Sequence, residues 1–139
     1  NKITFAEAES SKVGERLIPP SLWALMTNAA RIQITASLEA RSSFLCQAYS
    51  NLTQDKRALN DLLNKLRPYH SGERIDQWHA QAQINDWQTL AAGLIKDHYD
   101  PRYAKSTKVK NKPVCRVELP DLDDSTLALT AEKLHAQFN

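Results

Sequence analysis

The chain has 139 residues, of which 42% are hydrophobic and 24% are charged, and its formal net charge is +2. This composition is ordinary for a globular domain, and the charge is too small to indicate a nucleic-acid binder by itself. No apolar run approaches the ~20 residues of a membrane-spanning helix, so we expect no membrane partner. The two cysteines, Cys46 and Cys115, form no CxxC pair, which favours two reduced thiols in a cytoplasmic protein over a zinc site.

Residues 2–6 form an apolar run that predicts a buried strand, and two carboxylates follow it closely. Ligands of α/β domains bind outside the carboxyl ends of such strands. One carboxylate could hold a magnesium ion or orient a nucleophile, and the hydroxyls that follow could bind phosphate or sugar. The alternative is a turn with solvated charges, and we favour the functional interpretation. The candidates are Glu7 and Glu9 as catalytic groups and Ser10, Ser11 and Lys12 as substrate-binding groups.

The rest of the chain alternates between helical and strand patterns. Residues 31–36 alternate with period two and are rich in β-branched side chains, which predicts a second strand. In chain order the pattern predicts a helix from Pro20, the strand over 31–36, a helix capped by Ser37, helices over 55–67 and 72–84, a helix from Asn85 or Asp86, a loop over 100–112, a strand over 114–119 and a last helix from Asp123, Asp124 or Ser125.

Strands separated by helices predict an α/β fold with a parallel sheet, here of three strands. The helical block at about 53–100 is too long for a simple crossover, so we interpret it as an inserted lobe or lid. Because a buried first strand is normally central in such a sheet, we also expect the chain to be the later part of a longer protein. Trp23, Trp78 and Trp87 each fall on an apolar helical face and are predicted to be core.

An arginine, Arg41, lies on the helix predicted to follow the second strand. Arg41 could reach an anion in the crevice at the strand ends. The alternative is a surface ion pair with Glu39 or Asp55, and the sequence favours neither interpretation.

The segment 98–106 reads His-Tyr-Asp-Pro-Arg-Tyr-Ala-Lys-Ser, and residues 101–117 carry six basic side chains and no acidic one. Such a tract can neutralise phosphates on RNA or form a solvated loop, and the two interpretations stay open. We interpret 101–113 as a basic loop. Tyr99 and Tyr103 are favoured as structural residues over a role in base stacking. The candidates for substrate contact are Asp100, Arg102, Lys105 and Ser106.

Four motifs occur in a characteristic order and spacing. Together they resemble the carboxyl-terminal part of tRNA 2-selenouridine synthase, and the resemblance extends from residue 5 to about 120. The motifs are Glu7-x-Glu-Ser-Ser-Lys-Val-Gly14, Leu17-Ile-Pro-Pro-Ser-Leu-Trp23, Ser37-Leu-Glu-Ala-Arg41 and His98-Tyr-Asp-Pro-Arg-Tyr-x-x-Ser106.

The resemblance implies an enzyme that joins a rhodanese domain with a reactive cysteine to a P-loop domain similar to small nucleotide kinases. It implies that the sulfur of wobble 2-thiouridine in tRNA is replaced by selenium from selenophosphate. The implied intermediate is S-geranylated and is made from geranyl diphosphate. On this basis the fold expected here is an incomplete P-loop nucleotide-kinase-like sheet with an inserted helical lobe, and the expected partner is the anticodon region of tRNA.

The chain departs from that family in one respect. Its glycines are Gly14, Gly72 and Gly93, so the P-loop pattern is missing, as is the rhodanese domain. We therefore expect these parts in other segments of the same protein and expect this chain alone to be inactive. A non-catalytic RNA-binding or scaffold module is the main alternative. A small-molecule kinase fragment is a third one, but it does not fit the Tyr-Asp-Pro-x-Tyr segment.

Overall fold

The structure, a computed structural model, describes residues 3–7, 10–106 and 112–138. Within these residues no helix has both the length and the apolar character needed to cross a membrane. The elements are β1 (Lys12–Val13), β2 (Arg16–Leu17), α1 (Pro20–Asn28), β3 (Ile32–Ala36), α2 (Leu38–Ala48), α3 (Ser50–Gln54), α4 (Lys56–Asn64), a 3₁₀ turn (Arg67–Tyr69), α5 (Gly72–Gln83), α6 (Trp87–Leu94), a π-helical turn (Ile95–Tyr99), α7 (Asp100–Ser106), β4 (Cys115–Leu119) and α8 (Asp124–Phe138).

The two strands predicted over 31–36 and 114–119 are confirmed as β3 and β4, and they pair in parallel. Their register places Ile32 opposite Cys115 and Ala36 opposite Leu119, so both strands end at the same edge. The chain between them is almost entirely helical in its described part, which is the arrangement expected of an α/β crossover.

The strand expected over residues 2–6 is not found in the described residues 3–6, which carry no regular secondary structure. A strand is stabilised by backbone hydrogen bonds to a neighbour, and β3 and β4 find theirs in each other. Ile3 and Phe5 remain exposed, although the ring of Phe5 meets that of Phe138 edge-on at 6.5 Å. The sheet observed is therefore a parallel pair, with fewer strands than the three expected.

A small antiparallel hairpin follows instead, formed by β1 and β2. Its register pairs Lys12 with Leu17 and Val13 with Arg16, which leaves a two-residue turn. Gly14 is the first residue of that turn and has a φ of 61°, a conformation that glycine adopts without the Cβ strain of other residues. The polar motif of residues 7–12 thus leads into a hairpin.

The hydrophobic core lies in the helical lobe, which we define as α3 to α6. The predicted helix starts are confirmed there, because the side chains of Asp55, Ser71 and Asp86 each accept a hydrogen bond from a backbone amide of the first turn. Trp78 is core as predicted, and Trp87 packs against the core, whereas α1 buries none of its residues and Trp23 lies outside the cluster. The buried cluster is Leu59, Leu63, Ile75, Trp78, Ala82 and Leu90.

The prediction of a loop from residue 100 is wrong for residues 100–106, because these residues form α7. Pro101 has no amide hydrogen, and inside a regular helix its ring would clash with the carbonyl of residue 97. The five-residue π-helical turn that precedes it changes the hydrogen-bond pattern of the helix at that point. Most of the remainder of the expected basic loop, residues 107–111, lies outside the described residues.

Candidate functional site

Two of the predicted site residues, Arg41 and Asp100, meet across the fold. Ser37 caps α2 by accepting a hydrogen bond from the amide of Ala40 at 3.1 Å, which places Arg41 on the first turn of that helix. Its Nη1 donates to Asp100 Oδ2 at 3.0 Å and its Nη2 donates to Oδ1 at 2.5 Å. The pair is therefore bidentate, the geometry in which a guanidinium fork matches a carboxylate.

Within the described chain, the ion-pair partner of Arg41 is not one of the two carboxylates considered from the sequence. The carboxylate comes from neither Glu39 nor Asp55 but from the first residue of α7, 59 positions away. The hydrogen bonds that Arg41 donates to the Asp100 carboxylate are the main cause that raises the pKa of Arg41, and burial opposes them. Arg41 is 29% exposed and Asp100 is 44% exposed, so the pair is open to solvent and to ligands on one side.

Arg102 lies on α7 beyond this ion pair and contacts an aromatic ring. Its guanidinium carbon is 4.3 Å from the ring centroid of Tyr69, a cation–π contact. Tyr99 and Tyr103, one helical turn apart, stack with an interplanar angle of 16°. Arg102, both of these tyrosines, Tyr69 and Lys105 are exposed. We call these five residues the basic aromatic surface; the side chain of Ser106, at the end of α7, lies outside the described part.

Beneath that surface lies a pair of histidines to which the sequence assigned no role. His70 Nε2 and His98 Nδ1 are 2.9 Å apart, so one ring donates a hydrogen bond to the other. The pKa of His98 is lowered by burial first, and then by the positive charges of His70 and Arg102. No local pattern could have revealed this pair, because its members are 28 residues apart.

The polar motif at the start of the chain does not join this cluster through its described hydrogen bonds. Ser10 Oγ accepts from the amide of Lys12 at 3.0 Å, and the carbonyl of Ser11 accepts from the amide of Ile18 at 2.8 Å. Both bonds stabilise the hairpin. Glu7 is exposed, and Glu9 lies outside the described residues.

A cavity of about 360 Å³ lies at the edge where β3 and β4 end. This is the edge at which α/β sheets bind ligands, so the crevice expected from the sequence has a counterpart, with a different lining. Arg41 is one residue beyond Ala40 on α2, about 100° around the helix, and is directed to Asp100 instead. The lining residues are Ser37, Glu39, Ala40, Ser43, Phe44 and Gln47 from α2 and its cap, with Pro120, Asp121, Leu122 and Asp123 from the segment after β4.

The acidic side of this cavity is not among the sequence predictions, although Asp121 follows β4 much as Glu7 follows the first apolar run. Asp121 accepts a hydrogen bond from the amide of Asp123 at 3.1 Å. Its pKa is lowered, chiefly by a hydrogen bond from the side chain of Thr126 and then by that amide. Asp121 thus stabilises the entry into α8, a structural task that its position after β4 explains.

Within residues 3–7, 10–106 and 112–138, no three histidine, cysteine or acidic side chains gather as a metal site. Comparison with known proteins gives no match to a family model, to a curated protein or to a solved structure.

Proposed function

We propose that the chain is part of a cytoplasmic tRNA-modifying enzyme that replaces sulfur with selenium in wobble 2-thiouridine by way of a geranylated intermediate. The observation that carries the proposal is the bidentate pair of Arg41 and Asp100. It unites the motif that ends at Arg41 with the motif of residues 98–106. Motifs that serve one site are expected to meet in space, and these two do so across 59 positions.

Within this proposal the polar groups divide into two sets. Glu7 and Glu9 form the acidic wall of a phosphate site, and Ser10, Ser11 and Lys12 bind phosphate or sugar there. Arg41 stabilises negative charge that develops on a diphosphate or selenophosphate. Both substrates are anions, and a guanidinium that presents several N–H donors is well suited to them.

The second set faces tRNA. Arg102 and Lys105 neutralise backbone phosphates, and the exposed tyrosine rings of the basic aromatic surface contact unpaired bases. An anticodon loop offers both phosphates and unstacked bases. The support is the clustering of two basic side chains and three aromatic rings on one short stretch of surface.

The proposal extends to the fold. We infer that β3 and β4 belong to a larger P-loop kinase-like sheet, in which residues 3–6 form one further strand and the P-loop strand another. Parallel sheets are normally covered on both faces, whereas Ile34 in β3 is 53% exposed. Additional strands and helices of the same protein would cover such a side chain.

A gene deletion tests the function. We expect the deletion strain to lose 2-selenouridine from its tRNA and to retain 2-thiouridine, as measured by mass spectrometry of hydrolysed nucleosides. A plasmid copy should restore the modification, and a copy with Arg41→Ala should not, although the protein accumulates normally. Arg57→Ala is the matched control, because Arg57 is an exposed helical arginine. Unchanged 2-selenouridine in the deletion strain would refute the proposal.

A non-catalytic RNA-binding module is the second candidate. One observation that favours it is that Asp100 already neutralises the charge of Arg41, which leaves less positive charge for an anionic substrate. The basic aromatic surface, by contrast, can bind RNA without any catalytic group. The same strain separates the two candidates. If 2-selenouridine is unchanged but the tagged protein still co-purifies with tRNA, and Arg102→Ala weakens that association, the module is supported.

A further inference from the structure

The two hydrogen-bonded histidines form a junction between distant parts of the lobe. His70 follows the 3₁₀ turn and precedes α5, whereas His98 lies in the π-helical turn that leads into α7. Trp78 meets the ring of His70 edge-on at 4.8 Å, and Tyr69 lies 5.8 Å from the ring of His98. We call His70 and His98 the histidine clasp, because their bond fastens the π-helical turn to the segment before α5.

The described charges around the clasp are largely positive or already paired. Arg102 stacks on Tyr69 on one side, and the guanidinium carbon of Arg74 lies 5.3 Å from the Trp78 ring centroid on the other. Lys96 is on the same turn and is exposed. The two carboxylates nearest to His98 in sequence are both engaged by arginines: Asp97 pairs with Arg74, and Asp100 pairs with Arg41. The carboxylate nearest to His70 in sequence is Glu73, which lies exposed in the first turn of α5.

The hydrogen bond of the clasp can exist only while the two rings together carry no more than one extra proton. A neutral imidazole has one donor and one acceptor nitrogen, so a pair of rings keeps its bond with neither or with one of them charged. When both rings are charged, both facing nitrogens carry a proton and the bond cannot exist. The two cations would then also repel each other across the 2.9 Å that separates their facing nitrogens.

We propose that the histidine clasp is an acid-sensitive contact, closed near neutral pH and opened by the second proton, which loosens the π-helical turn and the start of α7 from the segment before α5. The direction of the pH effect follows from the linkage between proton binding and stability. His98 is held below its ordinary pKa, so its contribution to stability is complete above the ordinary histidine pKa and is lost as the pH falls through the lowered one. Opening also separates Tyr69 from Arg102, so acid would reorganise the basic aromatic surface.

Hydrogen exchange on the full chain tests this. Between about pH 7 and about pH 5, after correction for intrinsic rates, we expect amides of residues 98–103 to lose protection by roughly tenfold per pH unit once the second proton binds. Amides of α5 around Ile75 should lose much less. Equal loss in both regions, or none in residues 98–103, would overturn the proposal.

Two variants separate the clasp from general acid sensitivity. His98→Asn and His70→Gln each place an amide nitrogen or oxygen close to the lost ring nitrogen but cannot be protonated. In either variant the acid-dependent loss over residues 98–103 should disappear, while His135→Asn, an exposed control on α8, should behave as the wild type. If one clasp variant fails to fold, the other decides. A wild-type response in a folded clasp variant would contradict the proposal.

Discussion

The helical lobe and the segment before β3 use similar apolar residues in opposite ways. In the lobe, Trp78 and Ile75 have no exposed surface and Leu63 is 2% exposed. In the earlier segment, Leu17 in the hairpin is 72% exposed and Leu25 in α1 is 71% exposed. The lobe therefore contains its own core, whereas the hairpin and α1 contribute little to one within the described chain.

The difference shows that the residues that stabilise the fold and those of the candidate site lie in different parts of the chain. Apolar helices that are neighbours in sequence can bury one another with short connections, which α4, α5 and α6 do. The candidate site lies at the border of that core: Arg41 precedes the lobe, and Asp100 follows it. The lobe thus acts as a scaffold whose edge carries the polar groups, and the comparison can be tested by identical substitutions in both regions.

The largest expected contrast comes from one substitution made twice. Leu63→Ala removes a buried side chain from the core and should lower the free energy of unfolding by about 2–5 kcal/mol. Leu25→Ala makes the same chemical change on exposed α1 and should alter it by less than about 0.5 kcal/mol. Urea unfolding followed by circular dichroism measures both. Similar losses in the two variants would mean that α1 is packed as firmly as the lobe.

A smaller effect is expected where a glycine lies against the core. A Cβ at Gly93 would come within 2.9 Å of Trp78 Nε1 and 3.2 Å of Arg74 Nη2. Trp78 is fully buried, so it cannot move aside freely, and overpacking of this kind costs about 1–3 kcal/mol. The better helix propensity of alanine returns up to ~1 kcal/mol of that.

Gly72→Ala is the control for this prediction, since a Cβ there meets nothing within 4 Å. Thermal unfolding should rank Gly93→Ala below the wild type and Gly72→Ala at or slightly above it. If Gly93→Ala were the more stable of the two variants, the close packing of Trp78 against α6 would be wrong.

Local features of the fold could be predicted because local energies decide them. Ser37 and Ser71 cap helices as expected, since a serine hydroxyl satisfies an amide three residues ahead. The strands over 31–36 and 114–119 follow from alternation and β-branched side chains. Residues 2–6 show a similar apolar pattern, but a strand depends on a partner elsewhere, and a pattern cannot supply one.

The candidate site could be predicted only as separate parts. Arg41 and Asp100 are each candidates from the sequence, but their contact spans 59 positions. The sequence alone leaves Arg41 open between an anion in the crevice and a surface pair with Glu39 or Asp55. The helix through Pro101 was missed for a related reason: proline predicts a helix end, and the π-helical turn that precedes α7 has no sequence signature of its own. The role expected of Glu9 stays a prediction.

The smallest expected effect concerns the ion pair of Arg41 and Asp100, at the border of the lobe. Asp100→Asn preserves the shape of the side chain but removes its charge, and because the pair is partly exposed the loss of stability should be below about 1 kcal/mol. Asp76→Asn is the matched control, since its pair with Arg67 is longer, at 3.9 Å, and more exposed. Chemical unfolding at low and high salt measures both, and the difference between the variants should shrink with salt, because ions screen exposed charges. An Asp100→Asn loss no larger than that of Asp76→Asn would show that Arg41 and Asp100 do not fasten α2 to α7, and the border between the two regions would then lack its main polar contact.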